Sequence, residues 1–146
     1  MKKFIIIAAA ALFTLQLSAT EPVVVNEKVL QAFSRSFKDA SQVTWQEYAD
    51  RYEVRCLHNS IDSRITYDTN GNVTRTIRYY AEENLPIMLR SKIERQFAGK
   101  KVFGVTEMAT DGDLNYYIVL EDAKSWNHVT SNAGGEMTLY RKYRKA

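Results

Sequence analysis

The sequence predicts an α+β fold: tandem α-β-β-β-β repeats forming an antiparallel sheet with both helices packed on one face. Three observations carry that expectation. Two segments with helical apolar spacing are each followed by several segments that alternate at period two. Glycine turn signals recur at Asn70-Gly71 and Gly134-Gly135, a displacement of 64. Val43-Thr44 answers to Val105-Thr106 at a displacement of 62, with little identity between the halves, so the repeat is one of architecture. The 146 residues suit one domain, and six Gly, two Pro and 45% hydrophobic residues exclude collagen-like and charge-driven disordered chains.

The first repeat spans about residues 26–80. Asn26 can cap a helix whose apolar positions are Val29, Leu30, Phe33 and Phe37. After Lys38-Asp39-Ala40-Ser41 the period drops to two. Val43-Thr44-Trp45 opens a strand and Tyr52 to Leu57 forms the next. Ile65-Thr66-Tyr67 and Val73 to Tyr80 flank Asp68-Thr69-Asn70-Gly71, where Asn-Gly tolerates positive φ at both central turn positions. The second repeat spans about residues 85–143. Leu85-Pro86 places Pro at a first helical position, where its missing N–H costs nothing. Leu89, Ile93 and Phe97 follow at four-residue steps, and Gly99 is the stop. Strands are expected at 102–108, 114–120, 126–131 and 137–143, with turns at Asp111-Gly112 and Gly134-Gly135.

Ahead of the repeats lies an export signal. Lys2 and Lys3 precede an uncharged apolar run from Phe4 to Leu15, and Leu17-Ser18-Ala19 supplies an exit with small residues at its end. A membrane span needs about 20 apolar residues, so residues 1–19 read as a signal peptide cleaved after Ala19, leaving a domain of residues 20–146. The expected location is periplasmic or secreted, with no stable membrane anchor. Loss of Lys2 and Lys3 lowers the formal charge from +3 to +1, which removes the electrostatic support for nucleic-acid binding. Cys56 is then a lone thiol in an oxidising compartment. In Arg51-Tyr52-Glu53-Val54-Arg55-Cys56 it shares parity with Tyr52 and Val54, so a buried structural thiol is expected.

The residues Phe33, Phe37, Ala40, Val43-Thr44-Trp45, Tyr52-Glu53-Val54, Tyr67-Asp68-Thr69-Asn70-Gly71 and Leu85-Pro86 resemble those of the PepSY-like family of exported bacterial proteins. Tyr117-Ile118-Val119 and Gly135-Glu136 extend the resemblance into the second half. That family is similar in fold to the β-lactamase inhibitor proteins. The resemblance implies an envelope location and a non-catalytic, binding or inhibitory role. Lys38, where such sequences often carry Pro, and Glu107, at the position answering to Trp45, depart from it.

The residues themselves show no chemistry to set against that role. Asp68-Thr69-Asn70-Gly71-Asn72 has its Gly in the wrong place for a calcium loop, and Asp111-Gly112-Asp113 is a turn. Glu82-Glu83 suits the positive end of the second helix. No phosphate loop, nucleophile elbow or metal motif is present, and His58 and His128 read as structural residues on strands. No catalytic residues, metal ligands or cofactor are expected. Large residues nevertheless occupy both parities of 75–80, 115–120 and 137–143, so one aromatic of each adjacent pair must face away from the helices. The expected partner-binding residues on the open sheet face are Arg78, Tyr80, Tyr116, Trp126, Tyr140 and Arg141, and the expected partner is an envelope or extracellular protein or peptide. Tyr140 and Arg141 cannot both face outward from a regular strand; a bulge or the strand end can release either one. The competing explanation is that Tyr simply suits strands. The competing function is a small-ligand, lipid or polysaccharide-binding protein.

Overall fold

The computed structural model describes residues 23–146, so the expected signal peptide lies outside the described residues. Helix α1 (Glu27–Ser36) leads into strands β1 (Ser41–Glu47), β2 (Arg51–His58), β3 (Ile61–Asp68) and β4 (Val73–Tyr80). A 3₁₀ turn (Glu82–Asn84) and helix α2 (Ile87–Gln96) then precede β5 (Lys101–Thr110), β6 (Asp113–Glu121), β7 (Ser125–Asn132) and β8 (Met137–Arg144). The eight strands form one antiparallel meander in chain order, so β1 and β8 are its edges. The α-β-β-β-β order is present twice, as the sequence predicts.

Local chemistry explains the element ends. The Asn26 side chain accepts a hydrogen bond of 2.8 Å from the Lys28 backbone N–H, satisfying one of the free donors at the start of α1. Pro86 sits at the N-cap of α2, one residue before the helical position expected for it. Both helices end on a phenylalanine, with the Phe37 N–H donating to Phe33 O and the Phe97 N–H donating to Ile93 O.

The turns differ from expectation in one respect. Asn70 does not adopt positive φ; only Gly71 does, at +85°. Asp68 organises the loop instead, accepting from the N–H groups of Asn70 and Asn72, while Gly71 N–H donates to Asp68 O. This is a type I turn followed by a left-handed glycine. Gly135 (φ +76°) repeats it, its N–H donating to Asn132 O. Two-residue turns with positive φ at both positions occur at Asn59-Ser60, which carries no glycine to announce it, and at Asp111-Gly112.

Each helix covers its own core. Val29 and Phe33 of α1 pack with Tyr52, Val54, Cys56, Ile65 and Tyr67, with Phe37 and Trp45 at the margin. Leu89 and Ile93 of α2 pack with Tyr80, Val105, Tyr116, Ile118, Leu120 and Val129, with Phe97 at the margin. Cys56 is buried at 1% exposure, and burial pushes its thiol pKa up. Between the helices the covered face has no helix above it. Polar sheet positions gather there: Ser63, Thr76, Arg78 and Glu107 line the gap, with Ile61 and Phe37 beside them.

Candidate binding surface

Register assigns every strand residue to a face, because directly opposed residues in an antiparallel pair project to the same side. One row, Cys56–Ser63–Arg78–Glu107–Tyr116–Ser131, lies under or between the helices. The row Tyr80–Val105–Ile118–Val129 lies under α2. The alternate rows, Arg55–Arg64–Ile77–Met108–Asn115 and Asp62–Tyr79–Thr106–Tyr117–Thr130, form the open face.

Three of the six expected residues therefore lie on the wrong side for an open-face site. Tyr80 and Tyr116 are 7% and 5% exposed, packed beneath α2. Arg78 points into the gap between helices, its Nη1 donating to Glu107 Oε1 at 2.8 Å, while the Tyr80 hydroxyl donates to Glu107 Oε2 at 2.6 Å. The parity of β4 matches the sequence reading, with Arg78 and Tyr80 opposite Ile77 and Tyr79, but the two faces are exchanged. The physical reason is the gap itself. Lacking a helix above it, the covered face accepts a charged pair there, and Ile77 goes to the open side. Burial, then the bond to Glu107, raises the Tyr80 phenol well above its ordinary pKa, and burial raises that of Tyr116. Neither is a surface residue available to a partner.

The other three do reach the open face, and a bulge brings two of them together. In the β7–β8 pairing, Arg141 opposes His128 and Leu139 opposes Val129, leaving Tyr140 as the extra residue. Such a bulge lets neighbours share a face. Tyr140 packs edge-on to His128 at 5.8 Å between ring centroids, its hydroxyl 3.4 Å from His128 Nδ1. Arg141 donates to the Tyr143 hydroxyl at 2.9 Å, and Tyr143 also packs on His128 at 5.2 Å. Trp126 opposes Tyr143. A second bulge, in β5, makes Phe103 the extra residue between Val102 and Gly104. Phe103 stands edge-on to Trp126 at 4.8 Å, and Lys145 Nζ lies 4.1 Å from the Trp126 ring centroid on its way to Glu121.

The result is a strip over β5–β8: Phe103, Trp126, Tyr143, His128 and Tyr140, bordered by Arg141 and Lys145. Phe103 is 61% exposed and Tyr140 49%. Sequence reasoning missed Phe103, Tyr143 and His128. Phe103 and Tyr143 carried a signal in their aromatic identity on predicted strands, but the bulge that turns Phe103 outward leaves no mark in the alternation. The open face of the first repeat differs. There Arg55 pairs with Asp62 at 2.5 Å and Arg64 with Glu53 at 3.4 Å, so its long side chains are engaged with each other. Among the described residues no group of three His, Cys, Asp or Glu is placed to hold a metal ion, and no helix is long and apolar enough to cross a membrane.

No protein-family model matches the chain, and no curated protein matches it. Solved structures do. A BLIP-like protein from Bacteroides fragilis NCTC 9343 shares 15% identity at a TM-score of 0.58, covering 86% of this chain and 88% of that one. A candidate periplasmic protein from Bacteroides eggerthii DSM 20697 shares 13% at 0.56, covering 84% and 90%. A DUF2874 family protein from Bacteroides uniformis ATCC 8492 shares 15% at 0.55, covering 83% and 90%. At these identities the likeness establishes a BLIP-like fold. It supports the fold expected from the resemblance read from the sequence and does not extend to the PepSY-like family itself.

Proposed function

We propose that this chain is an exported, non-enzymatic binding module that docks a protein or peptide of the cell envelope or surroundings on the second-repeat half of its open sheet face. The observation that carries the reading is the aromatic strip. Five rings lie contiguous and partly exposed where an antiparallel sheet with one solvated face ordinarily presents polar residues. Tyr, Trp and Arg dominate binding hot spots because they bring large area at small rotamer cost. The partner-binding set is thus revised to Phe103, Trp126, His128, Tyr140, Arg141 and Tyr143. Export is supported by Lys2-Lys3 and the apolar run behind them. A PepSY-like affiliation belongs with this reading and rests on the sequence resemblance.

Photo-crosslinking tests the face directly. A photoreactive residue replacing Tyr140 or Phe103 should yield a discrete adduct in the producing cell's envelope. The same group at Ile87, exposed on α2, should yield none. Adducts from Ile87 alone would reject the assignment.

A further inference from the structure

Cations gather at one end of the second repeat. The β6–β7 turn (122–124), the start of β5 and the end of β8 bring together Lys100, Lys101, Lys124, Lys142, Arg144 and Lys145. Two carboxylates lie among them and both are engaged: Glu121 with Lys145 at 2.7 Å, and Asp122 with Lys100. Among the described residues, Lys101, Lys124, Lys142 and Arg144 have no carboxylate at ion-pair distance. The whole chain is nearly balanced, at 20 cationic against 17 anionic residues, so this is a local concentration rather than general basicity.

The arrangement is held in place by the backbone. Asp122 accepts from the N–H groups of Lys124 at 2.8 Å and Ser125 at 2.7 Å, which fixes the turn. Lys145 N–H donates to Lys124 O at 2.9 Å and ties the chain end to it. Lys124, Lys142 and Arg144 consequently line one groove of about 820 Å³ with Asp122 and Ser125. Lys101 and Lys145 line a second, of about 320 Å³, beside Glu121 and Asp122. Lys142 and Arg144 stand opposite Asn127 and Ser125 on the helix side, while Lys101 stands opposite Glu121 on the open side. The cations thus surround the sheet end rather than lying in one plane.

We propose that this end binds an anionic polysaccharide, a glycan chain bearing carboxylate or sulfate groups. A flexible chain with acid groups at regular intervals can enter the groove and reach cations on both sides of the turn. A flat bilayer surface meets only one side. The exposed rings of Phe103 and Tyr143 on the adjoining open face offer apolar contact to sugar rings, which an acidic peptide does not require. The site shares Phe103, Tyr143 and Lys145 with the strip on which protein docking is proposed, while Lys101, Lys124, Lys142 and Arg144 lie outside that strip.

The test is fluorescence anisotropy of labelled oligogalacturonate and of a labelled heparin oligosaccharide, titrated with protein recovered from the producing cell. At least one probe should bind, and raising salt from 50 to 200 mM should weaken it by roughly fiftyfold, as release of counterions from about four contacts requires. The triple variant K124E/K142E/R144E should lose at least tenfold. The neutral triple K124Q/K142Q/R144Q should show a smaller loss in the same direction and serves if charge reversal impairs folding. The variant K28E/R35E, on α1, should bind as the parent does. Failure of both probes would overturn the proposal, as would equal affinity in the Gln triple, equal binding of neutral dextran, or tighter binding of polyglutamate or phosphatidylglycerol vesicles.

Discussion

Gly71, Gly112 and Gly135 adopt nearly the same backbone conformation, with φ of +85°, +88° and +76°, yet replacing each with Ala should cost different amounts. An L side chain in the left-handed region costs about 1–2 kcal/mol, and the lost chain entropy of glycine in the unfolded state returns about 0.4–1 kcal/mol. At Gly112 nothing lies within 4 Å of an added Cβ, so that balance is the whole effect: a net loss of about 0.5–1 kcal/mol. At Gly71 the added Cβ would stand 2.9 Å from the Lys28 carbonyl oxygen and 3.2 Å from its carbon. That obstacle is helix backbone and cannot rotate away. Its neighbour Val29 is wholly buried, so α1 would have to shift against its core, at a cost in the range of about 1–3 kcal/mol for overpacking. The total for Gly71→Ala is about 2–4 kcal/mol. Gly135 meets Lys92 Nζ at 2.7 Å and Leu89 Cδ2 at 3.2 Å. The lysine end can swing aside, giving up its bonds to Gly134 O and Gly135 O, so Gly135→Ala should fall between the other two. Urea unfolding with unchanged slope would rank the three by midpoint. A loss at Gly112 equal to that at Gly71 would refute the idea that these turns lie hard against the helices.

Phe33→Ala should cost about 3–5 kcal/mol by chemical denaturation, since Phe33 is 7% exposed, stacks on Phe37 and meets Trp45 edge-to-face; a loss under about 1 kcal/mol would contradict the packing of α1. Cys56 should react with a bulky thiol reagent only at the rate of unfolding, measured by mass spectrometry over time, because its sulfur is buried and its thiol pKa raised. Alkaline titration followed at 295 nm should show Tyr67, pushed up to about 12 by burial, ionising late together with Tyr80 and Tyr116. These phenols are raised above their unfolded value near 10, so their contribution to stability is complete below about pH 10 and lost as pH climbs beyond it; ionisation of all nine tyrosines in one step near pH 10, with the fold intact, would be the opposite result.

The repeats, most strand positions and the core phase were legible because they follow from periodicity, which a single chain displays directly; β3, expected from Ile65, begins at Ile61, where the Asn59-Ser60 turn carries no glycine to announce it. Val29, Phe33, Val54, Cys56 and Ile93 are buried where their period places them, while Phe37 and Phe97, in the same phase at the helix ends, are only partly buried. The binding face was legible only in its parity. Arg78 and Tyr80 do share a side, but which side depends on where the two helices leave the sheet bare, and that is a property of the assembled layers. Glu107, at the position answering to Trp45, was the available hint: a carboxylate in that phase calls for a cation opposite, and Arg78 is its register partner. The bulge at Phe103 was beyond the alternation because it shifts phase by one residue without changing composition. The Tyr140–Arg141 conflict was visible as a conflict, and the bulge resolves it with both residues outward.

The central claim is that the strip over β5–β8 is a docking surface and not merely a packed margin of the sheet. Affinity for the crosslinked partner and thermal stability should be measured side by side for Phe103→Ala, Tyr140→Ala and Arg141→Ala, with Tyr80→Phe as a buried control. At least two of the three exposed substitutions should weaken binding by about 2 kcal/mol or more, while their stability stays within about 0.5 kcal/mol of the parent. Tyr80→Phe, which strips Glu107 of a donor at 2.6 Å, should lower stability and leave affinity unchanged. Losses of affinity that rise and fall only in proportion to losses of stability would contradict the account.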